Sequence, residues 1–234
     1  MDEARLRAIS RRLYIDLLKS VAEVFKSLSL SDQEYAVLAT IEGEEKLKKA
    51  LVRGRGAIAY SAHFGNFAIM GGRLARQGFP VHFLLRAPHD PLIRGMLKRA
   101  MDSEKLPFFF DDKETVAAKC REVLKNNGVL FMAADQYFAE GSEIQFLGLP
   151  TRFTSGPAVL ALRWQAALVP VFIYRQSNDR HRIVIEREID LEGEGSLKQK
   201  ALTATRDYAA RLEGHIRDFP TQWLWLHRRW KNIT

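Results

Sequence analysis

The chain has 234 residues, 47% of them hydrophobic and 27% charged, with one cysteine and a formal net charge of +8. That length and balance suit one globular domain with a real core. They exclude an intrachain disulfide and, with no run of about 18 apolar residues, a membrane-spanning helix. The cationic surplus points to anionic partners: lipid headgroups, phosphorylated ligands or nucleic acid. No zinc-ligand spacing, phosphate-binding GxxxxGK[ST] loop or aromatic RNA-binding pattern accompanies it, so no metal and no nucleic-acid partner is expected. No signal peptide is visible. Cys120, in a charged helix-like stretch, is expected to be an idle thiol in a reducing compartment.

Residues 1–30 are read as an N-terminal amphipathic helix and 31–234 as the main domain. Between residues 5 and 28, Leu6, Ile9, Leu13, Leu17, Val21, Val24 and Leu28 recur at helical spacing, with Arg5, Arg7, Arg11, Arg12, Lys19 and Lys26 between them. Such a helix either packs on the domain or lies on an anionic bilayer. Ser31 and Glu34 have capping-box order. A helix from Glu42 stops at Arg53-Gly54-Arg55-Gly56. The apolar run Ala57–Ser61 is expected to be a strand. It breaks at His63-Phe64-Gly65-Asn66 and resumes with helical periodicity through Phe67, Ile69, Met70 and Leu74. A histidine at such a strand end is often merely packed, but the Gly65-Asn66 turn exposes it beside helix N-terminal amides, where charge can develop.

Val81–Leu85 is expected to be a second strand, leading to an Arg86–Pro91 loop at the same sheet edge if the two strands are parallel neighbours. A helix over 92–101, a short strand at 106–110 and a helix over 113–126 follow. Val129–Ala134 is the next strand, with Asp135 and Gln136 just past its end. Residues 137–148 are expected to be a loop, then a helix over 156–165. A strand at 167–174 is interrupted by Pro170, and 182–186 pairs with it as a hairpin around Asn178-Asp179. A long helix covers 197–218, and the chain ends on a tryptophan-rich block, Trp223–Lys231. The expected architecture is a single α/β domain whose mixed, mostly parallel central sheet is flanked by helices.

His63-Phe64-Gly65-Asn66-Phe67 resembles the opening of the His-x4-Asp/Glu motif of glycerolipid acyltransferases. It most resembles the lipid A lauroyl/myristoyl branch, whose block usually reads His-Phe-Gly-Asn-Trp-Glu. Ala133-Ala134-Asp135-Gln136 resembles the end of that family's Leu-x-x-Asp-Gln block. Phe146 to Ala158 follows its Phe-Phe-Gly-x-Pro block, and Trp223 to Trp230 its C-terminal signature. The resemblance spans about residues 40–231. It implies that His63 is the general base for attack of a sugar or glycerol hydroxyl on an acyl thioester, with acyl carrier protein or coenzyme A as donor. Arg86, Asn66, Asp135 and Gln136 would hold substrate or oxyanion. Phe64, Phe67, Phe138 and Phe146 would line the acyl groove. No cofactor beyond the thioester is required, and the expected location is the cytoplasmic face of the bacterial inner membrane, peripherally bound.

The chain departs from the family at the acid, where Ala68 stands. A carboxylate there fixes the imidazole tautomer and stabilises the imidazolium. Three explanations stay open: a deliberately inactivated enzyme, a binding protein for lipid or acyl carrier without turnover, or another carboxylate in its place, with Asp135 the candidate. The first is preferred because the other motifs are intact. It implies that Ala68→Glu creates or greatly raises activity.

Overall fold

The computed structural model describes residues 3–88, 90–103 and 105–230. His89 of the Arg86 loop, Lys231 of the last block and the outer residues of both predicted domains lie outside them. The described elements, in order, are α1 (Glu3–Ser27), α2 (Asp32–Leu38), β1 (Ala39–Glu42), α3 (Glu44–Val52), β2 (Ala57–Ser61) and α4 (Phe67–Arg76). Next come β3 (Val81–Leu85), α5 (Pro91–Ser103), β4 (Phe108–Phe110), α6 (Val116–Lys125), β5 (Val129–Ala133), β6 (Ser142–Phe146) and β7 (Leu149–Phe153). The chain closes with α7 (Gly156–Trp164), β8 (Ala167–Arg175), β9 (His181–Ile185), α8 (Leu197–Asp218) and a 3₁₀ turn at Pro220–Gln222.

Seven strands form one sheet in the order β1-β9-β8-β2-β5-β3-β4. Every pairing is parallel except that between β8 and β9. The central strands β2 and β8 are buried along their whole length, as unbroken apolar runs in a helix-covered sheet should be. One apolar cluster lies on each face: Ile58, Tyr60, Leu130 and Phe172 meet α7 and α8, while Ala59, Phe131 and Val169 meet α3 and α4. The expected α/β architecture is therefore observed.

Four expectations need correction. Strand β1 was not anticipated, because four residues squeezed between two helices carry no periodic signal. Strand β8 is not interrupted at Pro170. Its ladder with β2 ends there and its ladder with β9 begins at Val171, so the missing amide falls where one pairing hands over to the other. The β2 and β3 strands are not neighbours, since β5 lies between them. Arg86 therefore sits two strand spacings, about 10 Å, from the end of β2. Residues 142–153 are a hairpin rather than a loop, turned by Leu147 and Gly148 at φ 51° and 82°.

Helix α1 forms as expected, and part of the expected apolar stripe packs on the domain while polar residues share that side. Its inner face carries Leu13 together with Asp16, Ser20, Glu23 and Ser27. Its outer face carries Tyr14, Leu18, Val21, Phe25 and Leu28, with Leu18 and Phe25 respectively 73% and 68% exposed. The polar inner face meets a buried cation. Arg175 of β8 pairs with Glu23, bonds Ser20 Oγ at 3.1 Å and lies 3.6 Å from Asp16. His181 Nε2 and Asn66 Nδ2 each reach the Glu23 carboxylate at 3.0 Å.

Burial alone would raise the Glu23 pKa, but the bonds from His181, Arg175 and Asn66 outweigh it and hold the carboxylate down to about 2. Because the folded-state value is depressed, this stabilisation is complete above the ordinary value of 4.5 and disappears as pH falls toward 2. Glu23→Gln, which leaves Arg175 buried without its counter-charge, is expected to cost about 3 kcal/mol. It should also flatten the pH dependence of thermal unfolding in that acid window; an unchanged Tm would show that the pair does not hold α1.

Candidate active site

The site grows from the register of two adjacent parallel strands. Ser61 of β2 is opposite Ala133 of β5, and each chain continues two residues to a polar side chain, His63 and Asp135. The imidazole Nδ1 lies 2.7 Å from Asp135 Oδ1. The other carboxylate oxygen accepts the indole N–H of Trp223 at 2.8 Å. Asp135 is 3% exposed, whereas the His63 side chain retains 26% exposure. With Nδ1–H given to the carboxylate, Nε2 is the nitrogen left for a substrate. Phe67 stands edge-on to the imidazole, with centroids 5.9 Å apart.

The electrostatics follow from this pairing. Burial disfavours the imidazolium, but the charge and hydrogen bond of Asp135 more than offset it, so the His63 pKa is raised. Burial likewise disfavours the Asp135 carboxylate, yet His63 and the Trp223 bond hold its pKa below the ordinary value. The pair behaves as one unit, with the negative charge kept on the carboxylate.

The turn after His63 is fixed by packing. Gly65 has φ 57°, and a Cβ there would lie 2.3 Å from the Ile173 carbonyl oxygen, so only glycine fits. Gly65 N–H donates to the Gln222 carbonyl and Leu224 N–H to the His63 carbonyl, which ties the C-terminal segment to this loop. Asn66 caps α4 by accepting from Ile69 N–H. Its amide nitrogen donates to Ser20 O and Glu23, so the side chain faces α1 rather than the imidazole. That corrects the expectation of a substrate contact: Asn66 is a joint between α4 and α1.

The remaining candidates divide. Phe64 and Phe146 are 1% and 0% exposed and belong to the core, so they line no open groove. Phe146 is buried because the hairpin alternates Ile144 and Phe146 inward with Glu143 and Gln145 outward. Phe67 and Phe138 are at the surface. Gln136 is half-buried after β5, and Arg86 is exposed after β3. Ala68, in the first turn of α4, brings no polar group. Cys120 is buried, and burial pushes its thiol up to about 11, as an idle cysteine requires.

The site also draws on residues to which the sequence assigned no role in it. Trp223 is buried against Phe146 and orients Asp135. Tyr208 of α8 donates to the Ser61 carbonyl at 2.6 Å. His227 Nε2 accepts from the Tyr137 amide at 3.0 Å and so fixes the segment after Asp135. Arg229 is buried over the Phe153 ring at 3.8 Å, and burial lowers its guanidinium pKa to about 10 while Asp135 opposes that shift. The tryptophan and arginine pattern of the last block was the available signal. Only contact with Asp135 reveals its task. Among the described residues no group of three or more His, Cys, Asp or Glu side chains could hold a metal ion.

A family model for bacterial lipid A biosynthesis acyltransferases matches residues 1–232. The chain belongs to this family. It is 26% identical over 229 residues to an Escherichia coli (strain K12) lipid A biosynthesis palmitoleoyltransferase, covering 91% of this chain and 72% of that protein. It is 25% identical over 189 residues to a phosphatidylinositol mannoside acyltransferase of Mycolicibacterium smegmatis, covering 80% of this chain and 60% of the relative. A phosphatidylinositol mannoside acyltransferase of Mycobacterium tuberculosis (strain CDC 1551 / Oshkosh) is 29% identical over 153 residues, 63% of this chain and 48% of its own. The chain thus spans about half to three-fifths of the mannoside acyltransferases it matches.

Asp135→Asn removes the anion and leaves burial unopposed. The His63 pKa is expected to fall below the ordinary histidine value, as read from its ring resonances in an NMR titration. An unaltered titration would mean that Asp135 is not its partner.

Proposed function

We propose that this chain transfers a fatty acyl group from an acyl thioester, on acyl carrier protein or coenzyme A, to a hydroxyl or amine of a lipid or glycolipid at a membrane surface. The observation that carries this reading is the 2.7 Å pairing of His63 with Asp135, a buried carboxylate oriented by Trp223. It supplies the acid that position 68 lacks, so the reading is of a working enzyme and not of an inactivated one.

The chemistry follows. His63 Nε2 takes the proton of the acceptor hydroxyl as its oxygen attacks the thioester carbonyl carbon. Asp135 stabilises the imidazolium without accepting the proton. The first-turn amides of α4, at Phe67 and Ala68, are the donors we assign to the developing oxyanion, with the helix dipole behind them. The C–S bond then breaks, and the imidazolium returns its proton to the departing thiolate. Neither the attack nor the expulsion calls for a metal or redox cofactor, because the thioester is itself the activated group. Arg86 and Gln136, at the same sheet edge, are the groups we assign to the anionic part of donor or acceptor.

Access to an insoluble acceptor fits the outer face of α1. Leu18, Val21 and Phe25 are exposed, with Arg7 and Arg11 continuing the same face. Sinking three such side chains into a lipid interface is worth roughly 5 kcal/mol, and the cations add attraction to anionic headgroups. No described helix is long and apolar enough to cross a membrane, and the reading is of peripheral attachment at the cytoplasmic face.

Acyl transfer from radiolabelled acyl carrier protein or coenzyme A to a panel of glycolipid acceptors tests the reaction. His63→Ala should abolish turnover, and Asp135→Asn should lower it by about 10²–10⁴. Ala68→Glu should change it only a few-fold, because Asp135 already occupies Nδ1. No turnover in the native chain, with activity appearing in Ala68→Glu, would return the choice to an inactivated enzyme. Leu18→Glu with Phe25→Glu should weaken sedimentation with anionic vesicles at least tenfold while the fold stays intact; unchanged binding would remove α1 from the membrane contact.

A further inference from the structure

A second cationic site lies at the other end of the strands. A cavity of about 320 Å³ opens among Gly54, Arg55, Arg121, Lys125, Arg163 and Trp164. These residues come from three places just before β2, β5 and β8: the Arg53–Gly56 turn, the end of α6 and the end of α7. His63 and Asp135 follow the opposite ends of β2 and β5, so a five-residue strand of about 17 Å separates the two sites. The cavity therefore belongs to a different surface and serves something other than the dyad.

Its charge is unbalanced. The cavity is lined by four cations and no carboxylate. Among the described residues none of the four makes an ion pair, whereas Arg53 in the same turn is paired with Glu188 at 2.7 Å. Arg121 and Lys125 are one helical turn apart on α6, a spacing at which like charges destabilise a helix. The carbonyl ends of α3, α6 and α7 converge here and offset part of the charge. At roughly half a unit each they leave a net of about +2.5. Trp164, half-buried at the end of α7, gives the cavity an aromatic wall.

We infer that this cavity is a binding site for a small phosphate-bearing anion, either a phosphate monoester or a diphosphate. Such a group brings two to three negative charges and acceptor oxygens that suit guanidinium forks. It would lie within reach of Trp164, whose emission reports occupancy. The inference does not rest on the acyl-transfer reading, and either can fail without the other.

The test is a fluorescence titration of the full chain with inorganic pyrophosphate. Saturable quenching is expected. It should be absent in Trp164→Phe and weakened roughly tenfold or more in Arg121→Gln with Arg163→Gln, each of which removes a charged donor. All four cations are exposed, so these variants should keep the native circular dichroism and Tm. Vesicles of phosphatidic acid in phosphatidylcholine, added in competition, distinguish the sources: displacement of pyrophosphate marks a lipid headgroup, and no displacement marks a soluble phosphate. No saturable signal, or a response identical in the double variant, would overturn the site.

Discussion

The hydrogen bond from Trp223 to Asp135 is the constraint on which the site depends. A carboxylate buried this deeply is stable as an anion only if its oxygens are engaged. One oxygen takes the imidazole and the other takes the indole, so the group cannot rotate away from His63. The indole comes from the far end of the sequence, held by the bridge between Phe64 and Trp223 and by edge-on contacts with the rings of Phe146 and Trp230. The C-terminal segment is in this sense part of the candidate site, although none of its side chains touches the imidazole ring in a polar contact among those described.

On the proposed function, this arrangement lets the chain do without an acid five residues after His63. An acid at that position would come from the first turn of α4. Here the partner comes from the adjacent strand β5, where parallel register fixes the separation as firmly as a helix turn would. Parallel pairing of Ser61 with Ala133 puts His63 and Asp135 at matching heights beyond the sheet edge. The two solutions differ in topology and agree in chemistry. Either gives a carboxylate on one imidazole nitrogen and leaves the other open.

Legibility in the sequence followed locality. The strand–turn–helix around His63, the capping box at Ser31 and the helix over 197–218 were readable because each is encoded by neighbouring residues. The insertion of β5 between β2 and β3 was not, since strand order is set by crossovers and leaves no local trace. The hairpin at 142–153 had a readable alternation of inward Ile144 and Phe146, obscured by Pro150 and by a turn, Leu147-Gly148, that lacks the usual Asn-Gly pair. Asp135 was visible as a polar residue ending a strand. Its role over the empty acid position needed the register, and the task of Trp223 needed the fold.

The orientation of α1 shows why hydrophobic periodicity alone misleads. Ile9, Leu13, Leu17 and Val24 do mark the packed side, but Asp16, Ser20 and Glu23 share it, and the larger apolar stripe faces out. A buried ion pair is a poor source of net stability, and an apolar replacement of the same shape often does as well. What the Glu23, Arg175 and His181 cluster supplies is specificity. A helix with apolar residues on several faces can dock in more than one rotation, and a buried arginine accepts only the rotation that brings it carboxylates. Because Asn66 joins the same cluster from the turn after His63, the rotation of α1 and the geometry of the His63 loop are set by one set of bonds. On the proposed function, the face offered to lipid and the base that acts on it are thereby held in fixed relation.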